Sequence, residues 1–378
     1  MILHVIDDEK FLVSVIELFE TIFPNQNIFL VGIDKVGYND FEKLEQSTKV
    51  IFKNINTPSY QTEYLELSKS VNFILFHNVY KTYKLRLLQK YKLNIKTAWT
   101  FWGAEMYGLN PNYNALLPAT KTAYLKSLSI KDQIKKTTLS KLKKAYYWRL
   151  FKNALRQRKL HYTLTNINAD VDLLESYTKL NLPRGWFSYY YYNDAVRSKI
   201  KTDKKNILIG NSSSESNNHL DAFNLINKKE LKDKKIYVPL NYGDKKYKDL
   251  VIKQAKGIFG SSVEPLVDFL SLNEYTFIIN SCSVLILNHK RQQAFNTIML
   301  ALANGCKVYL REENTIYKTL KSEGFIISSI QKNINSKEAL NALTKEEQKY
   351  NLELINKHYS KNIVFERIKV EFERMINE

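Results

Sequence analysis

Two cysteines, Cys282 and Cys306, are all that the 378 residues contain, and both sit inside apolar runs. A disulfide framework or a cysteine-based zinc site needs more than that, so both are excluded. No segment approaches the roughly 18 continuous apolar residues of a membrane-spanning helix. The opening residues, MILHVIDDEKF, show no basic n-region, apolar stretch or cleavage signal, so the expected compartment is the cytoplasm. Repeats and low-complexity tracts are missing, apart from the four tyrosines Tyr189–Tyr192. Acids are also scarce: 38 Asp and Glu stand against 57 Lys and Arg, which leaves +19. Abundant Lys, Asn, Ile and Tyr can reflect base composition alone, but the excess is not uniform. From Lys121 to Lys159, 13 basic residues stand against the single acid Asp132, so this stretch supplies +12. A local patch implies a local anionic partner.

What remains is an ordinary globular composition, 44% hydrophobic and 25% charged, with length for about two domains. Short apolar runs at 2–6, 28–33, 50–52, 73–76 and 98–102 predict strands. The helical spacing of Phe11–Phe23, ended by Pro24, lies between the first two. That βαβ rhythm predicts a parallel sheet covered by helices. Further strands are expected at 162–165 and 186–191. The polar stretch Asn193–Asn206 reads as a linker, after which strands recur at 207–209, 236–239, 284–287 and 308–310. A helix is predicted over Gln293–Asn304, stopped by Gly305. Residues 336–378 read as charged helices, with a capping box at Thr344 and Glu347. The fold class is α/β, with two successive Rossmann-like halves.

Chemistry gathers where strands end. After Ile207–Ile209 comes GNSSSESNNH, in which Gly210 turns the chain and Asn211, Ser212, Ser213 and Ser214 offer amides and hydroxyls. Asn217 or Asn218 caps the next helix. Such loops attract phosphate through unpaired N–H groups, although this is neither G-x-G-x-x-G nor a P-loop. A bare N-capped turn is the plain alternative. A second strand end carries Arg291, Gln292 and Gln293, a guanidinium suited to phosphate and amides suited to sugar hydroxyls. A third, VPLNYGD, sets Tyr242 at the same rim. In the first half, TAWTFWGAEMYG places Glu105 at a strand end beside Trp99 and Trp102, where a raised pKa suits a general base. Asp170 and Asp172 form an Asp-x-Asp, but they open a helix, where aspartate is expected on capping grounds. The basic segment reads as an amphipathic helix pair, with Leu139, Leu142, Tyr146, Leu150 and Ala154 at helical spacing among the cations. Anionic lipid suits it. Nucleic acid competes for the same charge, but the chain carries no helix-turn-helix, RNP or zinc signature.

Taken together, these stretches resemble glycosyltransferase family 56, the TDP-N-acetylfucosamine:lipid II N-acetylfucosaminyltransferases. The family's W-G-A-D is approached by Trp102-Gly103-Ala104-Glu105, and its G-N-S…S-N-x-H by Gly210-Asn211-Ser212…Ser216-Asn217-Asn218-His219. V-P-x-x-Y is matched by Val238 to Tyr242, and R-Q-Q…G by Arg291-Gln292-Gln293 with Gly305. Glu105 stands where the family has Asp, and Asn296 where Gly is expected, which leaves the donor sugar open. The resemblance implies a GT-B architecture with two Rossmann-like domains facing a cleft, here 1–192 and 206–335, with 336–378 as helices packing back. It also implies an enzyme needing neither metal nor cofactor, with the nucleotide sugar on the second domain. Its contacts would be Gly210, Asn211, Ser212, Ser213, Asn217, His219, Tyr242, Arg291, Gln292, Gln293 and Thr297. Glu105 would serve as base if the reaction inverts and as a positioning group if it retains. The acceptor is a polyprenyl-diphosphate-linked saccharide at the inner membrane face. Lys135, Lys136, Lys141, Lys143, Lys144, Arg149 and Lys152 are the expected membrane cations. A nucleic-acid-binding protein or an inactive homologue are the alternatives.

Overall fold

The computed structural model describes residues 1–7, 11–34, 49–91, 93–193, 203–226, 231 and 233–378. The chain forms two compact units, and their division does not follow chain order. The first unit comprises Met1–Tyr113, Ser140–Tyr191 and Lys361–Glu378; the second comprises Asn114–Leu139 and Tyr192–Ser360. Residues 114–139, grouped by sequence with the first domain, therefore fold with the second. The final 18 residues return to the first. Most of the expected linker, 194–202, lies outside the described residues.

In the first unit, β1 (Ile2–Asp7), β2 (Asn27–Ile33), β3 (Val50–Asn54), β4 (Phe73–His77), β5 (Lys96–Thr100), β6 (Tyr162–Thr165) and β7 (Arg184–Trp186) make one sheet. Its order is β3-β2-β1-β4-β5-β6-β7, and every pairing is parallel. Every residue of β1 and β4 is buried, as expected of a sheet covered on both faces. The helix Lys361–Asn377 buries Val364, Ile368, Phe372 and Met375, a stripe repeating every three to four residues. Phe372 reaches Phe19, Phe73 and Phe187 at 5.2, 5.8 and 6.4 Å between ring centroids. β7 ends at Trp186, short of the expected Tyr191. Beyond it the aromatic rings are engaged by helices instead, Tyr191 against Phe365 at 5.4 Å.

The second unit holds β8 (Asn206–Ile209), β9 (Ile236–Pro239), β10 (Val263–Leu266), β11 (Cys282–Leu287), β12 (Lys307–Leu310) and β13 (Ser328–Ser329). They run in parallel in the order β10-β9-β8-β11-β12-β13. The edge strands β10 and β13 were missed by pattern, since VEPL and SS carry almost no apolar signal. The helix Lys345–Tyr359 keeps its predicted capping box at Thr344 and Glu347. Both cysteines are buried free thiols.

Each sheet reverses its strand order once, between β1 and β4 and between β8 and β11. In open parallel sheets that reversal opens a crevice at the strands' carboxyl ends, where ligands bind.

Candidate active site

At the second unit's reversal, β8 runs into Gly210, whose φ is +76°. A Cβ there would stand 2.3 Å from His219 Nε2, so glycine is required for conformation and for space. Asn217 then ties the loop shut. Its Oδ1 accepts the Asn211 N–H at 2.9 Å, and its Nδ2 donates to the carbonyls of Ser212 and Ser214 at 3.0 and 3.1 Å. The same Oδ1 lies 2.8 Å from His289 Nε2, so His289 carries its proton on that nitrogen. Ser213 is fixed to the loop after β9, its N–H and Oγ donating to the Tyr242 carbonyl at 2.8 and 2.7 Å.

The loop after β11 meets this one. Gln293 Oε1 accepts from Ser216 Oγ at 2.8 Å, its Nε2 donates to Asn211 Oδ1 at 2.7 Å, and Arg291 Nε donates to Ser216 Oγ at 3.3 Å. Asn211 Nδ2 in turn donates to the Tyr242 hydroxyl at 3.0 Å. The loops after β8, β9 and β11 thus form one connected surface. Gln292 and Thr297 are half-buried beside it. Ala294 has φ +64°, a strained backbone for a non-glycine residue at the start of the helix Phe295–Ala303.

His219 is fully buried beneath the loop rather than on its open side, with Nδ1 3.2 Å from the Tyr247 hydroxyl. Burial alone pulls its pKa down to about 3, so the ring is neutral. Its Nε2 and His289 Nδ1 are both buried without a hydrogen-bond partner.

Segment 114–139 braces this loop from below. Asn218, in the left-handed region at φ +52°, accepts the Leu117 N–H at 2.8 Å and donates to the Ala115 carbonyl at 3.0 Å. The Asp221 carboxylate accepts the N–H groups of Ala119 and Thr120 at 3.0 and 2.8 Å, capping the helix Pro118–Ser127. Lys136 ion-pairs with Glu215 at 2.7 Å and lies 4.1 Å from the Tyr124 ring centroid. The pair engages its charge within the unit, with the Lys136 side chain still 37% exposed.

The helix Ser140–Arg156, in the first unit, buries Trp148, Phe151, Ala154 and Leu155. Leu142 and Tyr146 are 66% and 58% exposed, among exposed Lys141, Lys143 and Arg149. Lys144 and Lys152 are half-buried. Lys135 is exposed, in the π-helical turn Lys135–Leu139 of the second unit. No described helix is long and apolar enough to cross a membrane.

In the first unit the reversal lies between Asp7, ending β1, and His77, ending β4. Asp7 and Lys84 pair at 2.6 Å with both side chains inaccessible, and Lys84 also donates to the His77 carbonyl at 2.8 Å. Burial opposes the Asp7 charge, but Lys84 and Lys81 outweigh it and hold the carboxyl below its usual range. Glu105 is wholly buried, and its Oε1 accepts the Val79 N–H at 2.8 Å. Burial pushes its pKa up to about 7, against the pull of that N–H and of Lys84. A carboxyl with that pKa is suited to take or give a proton near neutral pH.

A directed chain of hydrogen bonds supports this end of the sheet. Asn27 Nδ2 donates to the carbonyls of Phe19 and Phe23 at 3.2 and 2.7 Å, so its Oδ1 must accept from His4 Nε2, at 3.1 Å. His4 Nδ1 then accepts from His77 Nε2 at 3.0 Å, and His77 Nδ1 accepts from the Tyr189 hydroxyl at 2.7 Å. Tyr189 accepts from Thr100 Oγ1 at 2.8 Å, and that oxygen accepts the Asn78 N–H at 3.2 Å. Each link fixes the tautomer of the next. The chain needs both histidines neutral, and burial lowers both pKa values, that of His4 to about 3. Asn78, Thr100 and Tyr189 escaped sequence reading; an Asn directly after an apolar strand was the one available cue.

Asp170 is buried and accepts from the Tyr107 hydroxyl at 2.6 Å, while Asp172 pairs with Arg184 at 2.7 Å. Among the described residues no group of three or more metal-ligating side chains is found.

Two units, each built on a parallel sheet of seven or six strands with polar loops at the sheet's reversal, define the GT-B architecture. Solved structures of that architecture align over nearly the whole chain. Sucrose-phosphate synthase of Thermosynechococcus elongatus is 9% identical with TM-score 0.67, covering 100% of this chain and 99% of its own. A glycosyltransferase of Rickettsia africae is 13% identical with TM-score 0.65, covering 100% and 98%. Anabaena HepE, solved in complex with UDP and glucose, is 10% identical with TM-score 0.64, covering 99% and 100%. At such identities the likeness concerns the fold. The family is set by sequence: residues 138–362 match the 4-alpha-L-fucosyltransferase model, glycosyl transferase group 56. The chain belongs to that family and is a sugar-transferring enzyme.

Proposed function

We propose that this enzyme moves a deoxyamino sugar, of which N-acetylfucosamine is the leading candidate, from a nucleoside diphosphate to a polyprenyl-diphosphate-linked saccharide in surface polysaccharide synthesis. The observation that carries the reading is the convergence of Arg291 and Gln293 on Ser216, which joins the loops after β8 and β11 into one surface of amides, hydroxyls and a guanidinium. That set matches a diphosphate and its sugar. Arg291, the Ser212 hydroxyl and the loop amides would stabilise the departing diphosphate, with no step assigned to a metal or cofactor, while Ser213, whose hydroxyl donates to the Tyr242 carbonyl, shapes the loop. Tyr242, 54% exposed at the rim, offers a face for the base.

Glu105 takes the acceptor proton if the anomeric centre inverts; if configuration is retained, it orients the acceptor. Its raised pKa fits the first role. The exposed Lys141, Lys143 and Arg149 around Leu142 and Tyr146 suit an anionic bilayer, which supports a peripheral position on the inner membrane face. Anabaena HepE was solved with UDP and glucose, which supports a nucleoside diphosphate sugar as the donor here.

Thermal-shift titration with dTDP, UDP, GDP and CMP tests the donor site, since a ligand that binds only the folded state raises Tm. One diphosphate should stabilise the wild type and lose its effect in Arg291→Ala. No shift with any of the four would remove the nucleotide site.

A further inference from the structure

The chain after β4 is held in an uncommon conformation by contacts from three other elements. Asn78 has φ +66° and is 1% exposed. Its N–H is taken by Thr100 Oγ1, the preceding His77 carbonyl by Lys84 and the following Val79 N–H by Glu105. Three consecutive residues are thus pinned from three other elements, and the Asp7–Lys84 pair and the histidine chain stand behind them. A buried ion pair and a left-handed asparagine both cost stability, so an arrangement that keeps both points to a demand other than stability.

The same end of the sheet leaves two polar atoms buried and unpartnered, Asn78 Oδ1 and Trp102 Nε1. Buried polar atoms are almost always paired, so two after the carboxyl ends of β4 and β5 call for a reason. They combine a carbonyl acceptor and an indole donor. Beside them Trp102 and Tyr189 pack edge to face at 5.4 Å, with Phe11 5.9 Å from Trp102. Hydroxyl-matching polar atoms beside aromatic rings are what a pyranose requires. The reversal between β1 and β4 is where such a ligand would enter.

We propose that Asn78 is a specificity-determining residue of this transferase: its Oδ1 accepts one hydroxyl of the acceptor sugar, while Trp102 Nε1 donates to another oxygen of the same ring. The left-handed turn aims the amide, and the Thr100, Lys84 and Glu105 contacts keep it aimed. This rests on the reading that a lipid-linked saccharide is the acceptor. It goes further by naming the atoms that select it.

Asn78→Gly separates aiming from contact, because glycine accepts φ +66° without strain and removes only the amide. The probe is farnesyl-diphosphate-linked N-acetylglucosamine. Asn78→Gly should keep the wild-type Tm or exceed it and hold the donor KM within about twofold. It should raise the probe KM about tenfold or more, as expected when a site built to pair a hydroxyl loses its partner. Asn78→Asp, which keeps an oxygen in place, should recover most of that loss. Quenching of tryptophan emission by the probe, measured without donor, should weaken in parallel. An unchanged probe KM in Asn78→Gly, an equal rise in both KM values, or no probe binding to the wild type would each overturn the assignment. A wild type that binds the probe through Asn78 yet transfers nothing upholds the subsite and sinks the acceptor class proposed above.

Discussion

Gly210 and Ala294 occupy the same backbone region on neighbouring loops, and they are expected to respond to mutation in opposite ways. Gly210→Ala meets both a left-handed φ and the buried His219 ring, so it should cost at least about 2 kcal/mol and abolish nucleotide-induced stabilisation. Ala294→Gly relieves strain and should add roughly 0.5–1 kcal/mol, read as a higher denaturant midpoint. Glu105 couples activity to pH. Its folded pKa of about 7 exceeds the ordinary 4.5, so the protonated folded form is favoured. The stability this supplies is whole below 4.5 and is lost as pH rises toward 7, about 3 kcal/mol in all. Glu105→Gln should therefore raise Tm at pH 8 more than at pH 5. If Glu105 is the base, wild-type kcat/KM falls below pH 7 and the variant is low throughout. The motif that flagged Glu105 was readable in sequence. So was the raised pKa expected beside Trp99 and Trp102; the Val79 N–H that holds the carboxyl lies 26 residues away and was not.

The helix Ser140–Arg156 separates packing from surface binding along one stretch of chain. Trp148→Ala opens the core beside Phe151, whose ring centroid is 5.6 Å away, and should cost about 3–5 kcal/mol. Leu142→Ser with Tyr146→Ser should leave Tm nearly unchanged yet reduce cosedimentation with phosphatidylglycerol vesicles; unchanged cosedimentation would detach this face from the membrane. Helical periodicity announced a helix here through Leu142, Tyr146 and Leu150, but the face that packs is the neighbouring one of Trp148, Phe151, Ala154 and Leu155, whose aromatic rings bury more area. Lys136 shows the same limit. In sequence it is one cation among 13, and only the folded chain reveals its pairing with Glu215 and its place over the Tyr124 ring.

Four of the six histidines, His4, His77, His219 and His289, are fully buried, and burial depresses the pKa of each. A histidine with a lowered folded pKa contributes stability above its unfolded value near 6.5. That stability is lost as pH falls below it, because the unfolded chain binds the proton. For His4 and His219, both at about 3, the loss at pH 5 is about 4 kcal/mol together. Glu105 works the other way over the same range. Tm should therefore fall from pH 7 to pH 5 in the wild type and fall more steeply in Glu105→Gln. A flat profile in the variant would mean that the histidines protonate without penalty.

Local chemistry and period decided the two parallel sheets, the strand-end loops and the capped C-terminal helix, because each depends on residues close together in the chain. Gly210 could be read as a turn and Arg291 as a phosphate cation without knowing what lay across from either. Only tertiary structure decided that 114–139 braces the second unit and that 361–378 completes the first. The same holds for Asn78, whose pinning depends on Lys84, Thr100 and Glu105. Those outcomes depend on which buried groups find partners across long sequence separations, and the cost of leaving one unpaired is settled only when the chain has closed on itself.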